Sequence, residues 1–130
     1  MKKIIIIFTL FVFLGCSENN ETNNTNPKLQ SKLIGTWVNE GYYDDVATDE
    51  NPDGFYPIPN GISTTYTNET FNSTLFGNPH DSGTYTISND SLLSQNNELI
   101  GKIYSIDNSK LIITIPSGYG AIRYGKINDN

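Results

Sequence analysis

Gly83-Thr84-Tyr85-Thr86-Ile87-Ser88-Asn89-Asp90-Ser91-Leu92 is the stretch from which the fold class is read. Tyr85 and Ile87 alternate with Thr84, Thr86 and Ser88, the period of two of a strand with one buried face. Asn89-Asp90 is a turn signal, and Ser91-Leu92-Leu93 begins a returning strand. The same grammar repeats outward in both directions. Upstream, Ile62 to Thr67 puts Ile62, Thr64 and Tyr66 on one face, and Asn68-Glu69 turns the chain into Thr70 to Phe76. Downstream, Leu99 to Ile106 and Lys110 to Ile115 flank Asp107-Asn108-Ser109, and Ala121 to Ile127 forms the last strand. The run Leu33 to Val38, with Trp37, supplies the first. After residue 16 no stretch sustains apolar spacing of three and four, so no helix is expected there. Short strands on hairpin turns predict an all-β fold, a small antiparallel up-and-down β-barrel of about eight strands.

The N-terminus has a different character. Lys2 and Lys3 precede Ile4 to Leu14, an apolar run broken only by Thr9. About eleven residues is too short for a bilayer span, which needs about 20, but suits a secretory signal. Phe13-Leu14-Gly15-Cys16 ends in the only cysteine of the chain. This stretch resembles the lipobox of bacterial lipoproteins, with the small Gly15 before the cut and a thiol after it. Phe13 and Leu14 depart from the usual leucine and small residue at those places. The resemblance implies that Cys16 receives a diacylglyceryl group and palmitate-type acyl chains, while residues 1–15 are removed as a signal peptide. Each buried methylene then contributes about 0.8 kcal/mol to anchoring. From Ser17 to about Gln30 the chain is Asn-, Thr- and Glu-rich with almost nothing to bury, so residues 16–30 are expected to form the acylated cysteine and a disordered tether. Such a tether spans about 20 Å on average. Residues 31–130 are then the folded domain.

Within that domain, Leu33-Ile34-Gly35-Thr36-Trp37, the Gly83 to Leu92 stretch, and Tyr104-Ser105-Ile106 followed by Lys110-Leu111-Ile112-Ile113 are similar to the small lipocalin-like lipoproteins of Gram-negative bacteria. Gly35-x-Trp37 at the start of the first strand matches the lipocalin opening motif. The resemblance covers most of the chain from Leu33 to Ile127 and implies a lipocalin-like barrel. It also implies that a basic side chain near the end of the barrel lies over Trp37. Arg123, the only arginine, fills that position. Ser17 after the cysteine is not the aspartate that retains lipoproteins in the inner membrane. The implied location is the outer membrane of a Gram-negative bacterium, lipid-anchored on the periplasmic face or the cell surface.

The chain carries a formal charge of −6, and loss of Lys2 and Lys3 would make it more negative. Such a balance excludes nucleic acid as a natural partner, because phosphates would repel it. With a single cysteine no disulfide forms within the chain. The stretch from Val38 to Ile62 departs from the lipocalin pattern: it is acidic and proline-containing, not a clean second strand. Asp49-x-Asn51-x-Asp53-Gly54 matches the first half of a calcium loop. Its twelfth position is Asn60 where a bidentate glutamate is wanted, and neither flank reads as a helix. A solvated acidic loop is the other reading of these residues. His80, in Asn78-Pro79-His80-Asp81, is the only histidine and reads as part of a turn. No Gly-x-Ser-x-Gly elbow accompanies it, and no convergent catalytic set is visible. The expectation is a non-enzyme without a cofactor.

Tyr66, Tyr85, Tyr104 and Tyr124 lie in predicted strands, where such rings fill a core and send the hydroxyl to its rim. Tyr42, Tyr43, Tyr56 and Tyr119 fall in or near predicted loops. Ile62, Tyr66, Tyr85, Ile87, Leu111, Ile113, Ile115, Ile122 and Tyr124 are read as inward-facing. Thr64 and Ser73 among them leave volume for neighbours or a ligand to fill. Two functions fit. One is a barrel that binds a small apolar or amphipathic ligand at its open end against Tyr66 and Tyr85. The other is a tethered interaction module, an inhibitor or accessory subunit, that engages a partner protein with a filled barrel. An eight-stranded barrel accommodates either arrangement.

Overall fold

The computed structural model describes residues 26–44, 54–89, 91–117 and 120–127. Cys16, the signal and most of the tether, Asp49, Asn51 and Asp53 of the calcium-like motif, and Tyr119 lie outside the described residues.

Nine strands are present among the described residues: β1 (Gly35–Tyr43), β2 (Phe55–Tyr56), β3 (Ile62–Tyr66), β4 (Thr70–Leu75), β5 (Asn78–Ser88), β6 (Leu92–Gln95), β7 (Glu98–Ile106), β8 (Lys110–Thr114) and β9 (Ala121–Ile127). From β3 to β9 each strand pairs antiparallel with the next, and β1 pairs with both β3 and β9. Eight strands therefore form a closed ring, and β2 attaches outside it to the distal half of β1. The predicted turns make the hairpins. Asp107 Oδ1 accepts hydrogen bonds from the Ser109 and Lys110 backbone N–H groups, both at 2.7 Å. Asn96 and Asn97 both adopt positive φ, which lets a two-residue loop join β6 to β7 with the twist those strands need.

The ring encloses the core. Trp37, Tyr66, Phe71, Tyr85, Ile87, Leu93, Ile103, Leu111 and Ile113 are buried together there. The alternation of Tyr85 with Ile87 and of Thr64 with Tyr66 thus points inward, as the period of two requires.

Several expectations are corrected. Residues 27–30, read as tether, open a helix, α1 (Pro27–Leu33). Asn26 caps it by accepting from the Lys28 and Leu29 N–H groups, and Pro27 supplies a preset first turn. A helix of 7 residues has no stability alone. It forms because Leu29 and Leu33, four apart and so on one face, pack into one end of the ring. Two apolar residues are too few to register as a helical period. Leu33, read as strand, is its last turn.

Tyr42 and Tyr43 belong to β1, not to a loop, since pairing with β9 carries that strand to Tyr43. His80 is in β5 and not in a turn. The reversal occurs at Phe76-Gly77, and Pro79 is tolerated where the register slips between Ser73 and Thr74. Tyr104 is 45% exposed, not a core ring. It follows the inward Ile103, so the period of two turns it outward, and the bulge where the register jumps from Ile103↔Ile113 to Ser105↔Ile112 then brings Ile106 back to the interior.

Candidate functional site

A cavity of about 170 Å³ lies inside the ring. Its wall combines an apolar part, with Trp37, Ile62, Ile100, Leu111 and Ile113, and a polar part, with Thr64, Ser73, Tyr66, Gln95, Tyr124 and the His80-Asp81 pair. An apolar cavity of about 150 Å³ is large enough to take benzene, so this volume suits one ring-sized group. It falls short of the roughly 300 Å³ at which drug-sized pockets begin.

Pairing places each polar group. Thr64 and Ser73 are directly opposite on β3 and β4, and their hydroxyls hydrogen-bond at 2.8 Å in the interior. Tyr66 is the next inward residue of β3, and Gln95 Nε2 donates to its hydroxyl at 2.7 Å. Asp81 stands opposite Ser73 on β5 and so shares its face. Burial raises the Tyr66 hydroxyl well above the ordinary phenol value, and the nearby Tyr124 adds to this. Burial also pushes Tyr124 up to about 12, partly offset by a hydrogen bond from the Asn39 side chain. Both phenols are therefore neutral donors near pH 7. Thr64 and Ser73 bond to each other, on the same cavity wall as His80 and Asp81. The arrangement offers hydrogen bonds to an uncharged group beside an apolar wall. Among the described residues no three His, Cys, Asp or Glu side chains converge to hold a metal ion.

Of the two tyrosines expected at the pocket, Tyr66 lines it and Tyr85 does not. Tyr85 stands edge-on behind Tyr66, with ring centroids 5.1 Å apart, and donates its hydroxyl to the Thr67 carbonyl at 2.7 Å. Its ring supports the wall from the α1 side. Ile115 and Ile122, read as inward-facing, line a second cavity toward the other end of the ring, and Ile122 is the sheet partner of the interior Ile113.

Trp37 is fully buried, and its indole N–H donates to the Leu33 carbonyl at 2.6 Å, which joins the ring to α1. The cation over its ring is Lys126, at 5.0 Å, not Arg123. Register explains the correction. Lys126 is the β9 partner of Trp37, and paired residues share a face. Arg123, three residues earlier on β9, falls on the opposite face, outside the ring. There it lies 3.6 Å from the Phe55 ring centre, and its Nε donates to Glu40 Oε2 at 2.8 Å. Phe55 of β2 completes a second, outer cluster with Tyr43, Ile112 and Ala121.

Gln95, Asp81 and Lys126 were not anticipated. Gln95 follows Leu93 by two residues, so the period of β6 already assigns it inward. The period that points Ile122 and Tyr124 inward also assigns Lys126 to that face, but its place opposite Trp37 needed the β1–β9 register, which no local signal contains. Searches against protein-family models, curated proteins and solved structures find no match to this chain.

Proposed function

We propose that this chain is a lipid-anchored, lipocalin-like barrel protein that binds a small ligand inside its eight-stranded ring. The observation that carries the reading is the interior cavity, where Tyr66, Gln95, Thr64 and Ser73 face Trp37 across a space of ring size. A filled core would close that space, whereas here hydroxyl and amide groups with donor capacity left over border it beside an apolar wall, the make-up of a small-ligand site. The anchor rests on the Phe13 to Cys16 stretch and would hold the protein at the outer membrane of a Gram-negative bacterium.

Trp37, the only tryptophan, reports on the cavity it lines. Titration with phenol should shift its emission saturably. Ser73→Leu, which fills the cavity from β4, should abolish that shift while the far-ultraviolet circular dichroism stays unchanged. An emission unmoved by phenol, or binding that survives Ser73→Leu, would hand the case to an interaction module. For the anchor, Cys16→Ala should abolish labelling by a fatty-acid probe in cells, and labelling that persists would refute it.

A further inference from the structure

A second cavity, of about 340 Å³, is lined by Asn39, Gly41, Tyr42, Ile58, Asn60, Ile115 and Ile122. It adjoins the first at three points. Ile122 is the direct β-sheet partner of Ile113, which lines the inner cavity. Asn39 is the direct partner of Tyr124, also an inner-cavity residue. Asn60 lies two residues before Ile62 of the inner wall. The two spaces are therefore stacked along the ring, the inner one beside Trp37 and α1, the outer one where β1 and β8 end and β9 begins.

Their chemistry is opposite. The asparagine side chains of the outer cavity are hydrogen-bonded to its frame. Asn39 Oδ1 accepts from the Asn60 backbone N–H at 3.4 Å, Asn39 also bonds Tyr124, and Asn60 Oδ1 accepts from the Ile62 N–H at 3.0 Å. What remains facing this space is Tyr42, Ile58, Ile115 and Ile122. In the inner cavity, by contrast, Tyr66 accepts from Gln95 and keeps its own proton to donate. Only one of the two hydroxyl protons of Thr64 and Ser73 is needed for the bond between them. Neither cavity is lined by Lys or Arg, and Asp81 is the one carboxylate. An anionic head would meet the neutral donors beside Asp81 and no Lys or Arg to balance its charge. A cation would lose hydration deep inside with only an exposed carboxylate to meet it, so an uncharged head fits best.

We propose that the two cavities are chambers of one site that takes an amphipathic molecule head first. An uncharged, ring-sized, hydrogen-bonding head sits against Tyr66, Gln95, Thr64 and Ser73. An apolar body occupies the outer chamber between Tyr42, Ile58, Ile115 and Ile122. This rests on the ligand-binding reading above and extends it to ligand class and orientation. The inner volume alone is below the range of about 300–1,000 Å³ of small-molecule sites, and the two chambers together fall within it. The hydrogen-bonded Asn39 and Tyr124 stand where the chambers meet, so a ligand filling both passes beside this pair or parts it.

The test uses phenol, 4-butylphenol and butylbenzene, each read by Trp37 emission. Each methylene that enters the outer chamber tightens binding by up to about fourfold, so 4-butylphenol should bind at least about tenfold tighter than phenol. Tyr66→Phe keeps the ring and removes one hydrogen-bonding group. It should weaken phenol and 4-butylphenol by about three- to tenfold and leave butylbenzene unchanged. Ile122→Asn should erase most of the gain from the butyl chain without changing phenol. Ile58→Asn, at a 59% exposed position that folding does not depend on, should do so in part. If Tyr66→Phe tightens 4-butylphenol, or both outer variants leave the butyl gain intact, the tail enters first or binds elsewhere and the proposal is overturned. Phenol that binds without these dependences overturns this inference alone. Phenol that does not bind overturns the ligand-binding reading with it.

Discussion

Replacing Lys126 by Met should uncouple α1 from the ring, and the size of the effect follows from its contacts. The ammonium lies 5.0 Å from the Trp37 ring centre and donates to the Lys32 carbonyl at 3.3 Å, in the last turn of α1. A partly exposed cation over an indole contributes about 0.5–1 kcal/mol. A charged donor on a helix C-terminal carbonyl contributes a similar amount. Methionine keeps most of the aliphatic stem, so packing changes little, and the expected loss is about 1–2 kcal/mol. For a domain of this size that lowers Tm by roughly 5–10 °C. The decisive measurement is a pair of double-mutant cycles with Trp37→Phe. Lys126→Met should couple to it by about 0.5–1 kcal/mol, and Arg123→Met by no more than the additivity error of about 0.3–0.5 kcal/mol. Lys126→Met should also change Trp37 emission, whereas Arg123→Met should not. If Arg123 couples to Trp37 as strongly as Lys126 does, the side assignment of β9 is wrong.

Three further outcomes are expected. Gly41→Ala should destabilise by about 2 kcal/mol or more in chemical denaturation, because Gly41 has φ +151° and a Cβ there would strike the Tyr56 carbonyl oxygen. The same variant should release β2, seen as lost amide-exchange protection at Phe55 and Tyr56. Burial raises Tyr66 and Tyr124 in the folded state, so their contribution is complete below about pH 10 and is lost as pH rises toward 12 and above. Stability measured across that range should fall, and Tyr124→Phe should flatten the fall. Asp107 is held below the ordinary carboxylate value by the Ser109 and Lys110 N–H groups, so its stabilisation is present above about pH 4 and lost as pH drops further. Asp107→Ala should reduce stability at neutral pH and leave a shallower acid dependence, which urea melts at several pH values would resolve.

What the sequence determined by itself is whatever a few neighbouring residues decide. The Tyr85-Ile87 alternation, the Asp107-Asn108-Ser109 turn and the span of β9 are local, because pleat parity and turn hydrogen bonds involve residues within a few positions of one another. They suffice for an all-β chain of hairpins, and the inward face of β3 already carried Thr64 and Tyr66 to the cavity. What only the tertiary structure decided depends on register between distant strands. A one-residue difference there moves a side chain from the interior to solvent. The β1–β9 register sets Lys126 opposite Trp37 and leaves Arg123 outside on Phe55, and a bulge in β7–β8, with no mark in composition, returns Ile106 to the interior three residues after Ile103. Helix α1 is likewise a product of its surroundings. Seven residues become helical because the open end of the ring buries Leu29 and Leu33, and a free-energy gain that exists only after ring closure leaves no period in the sequence.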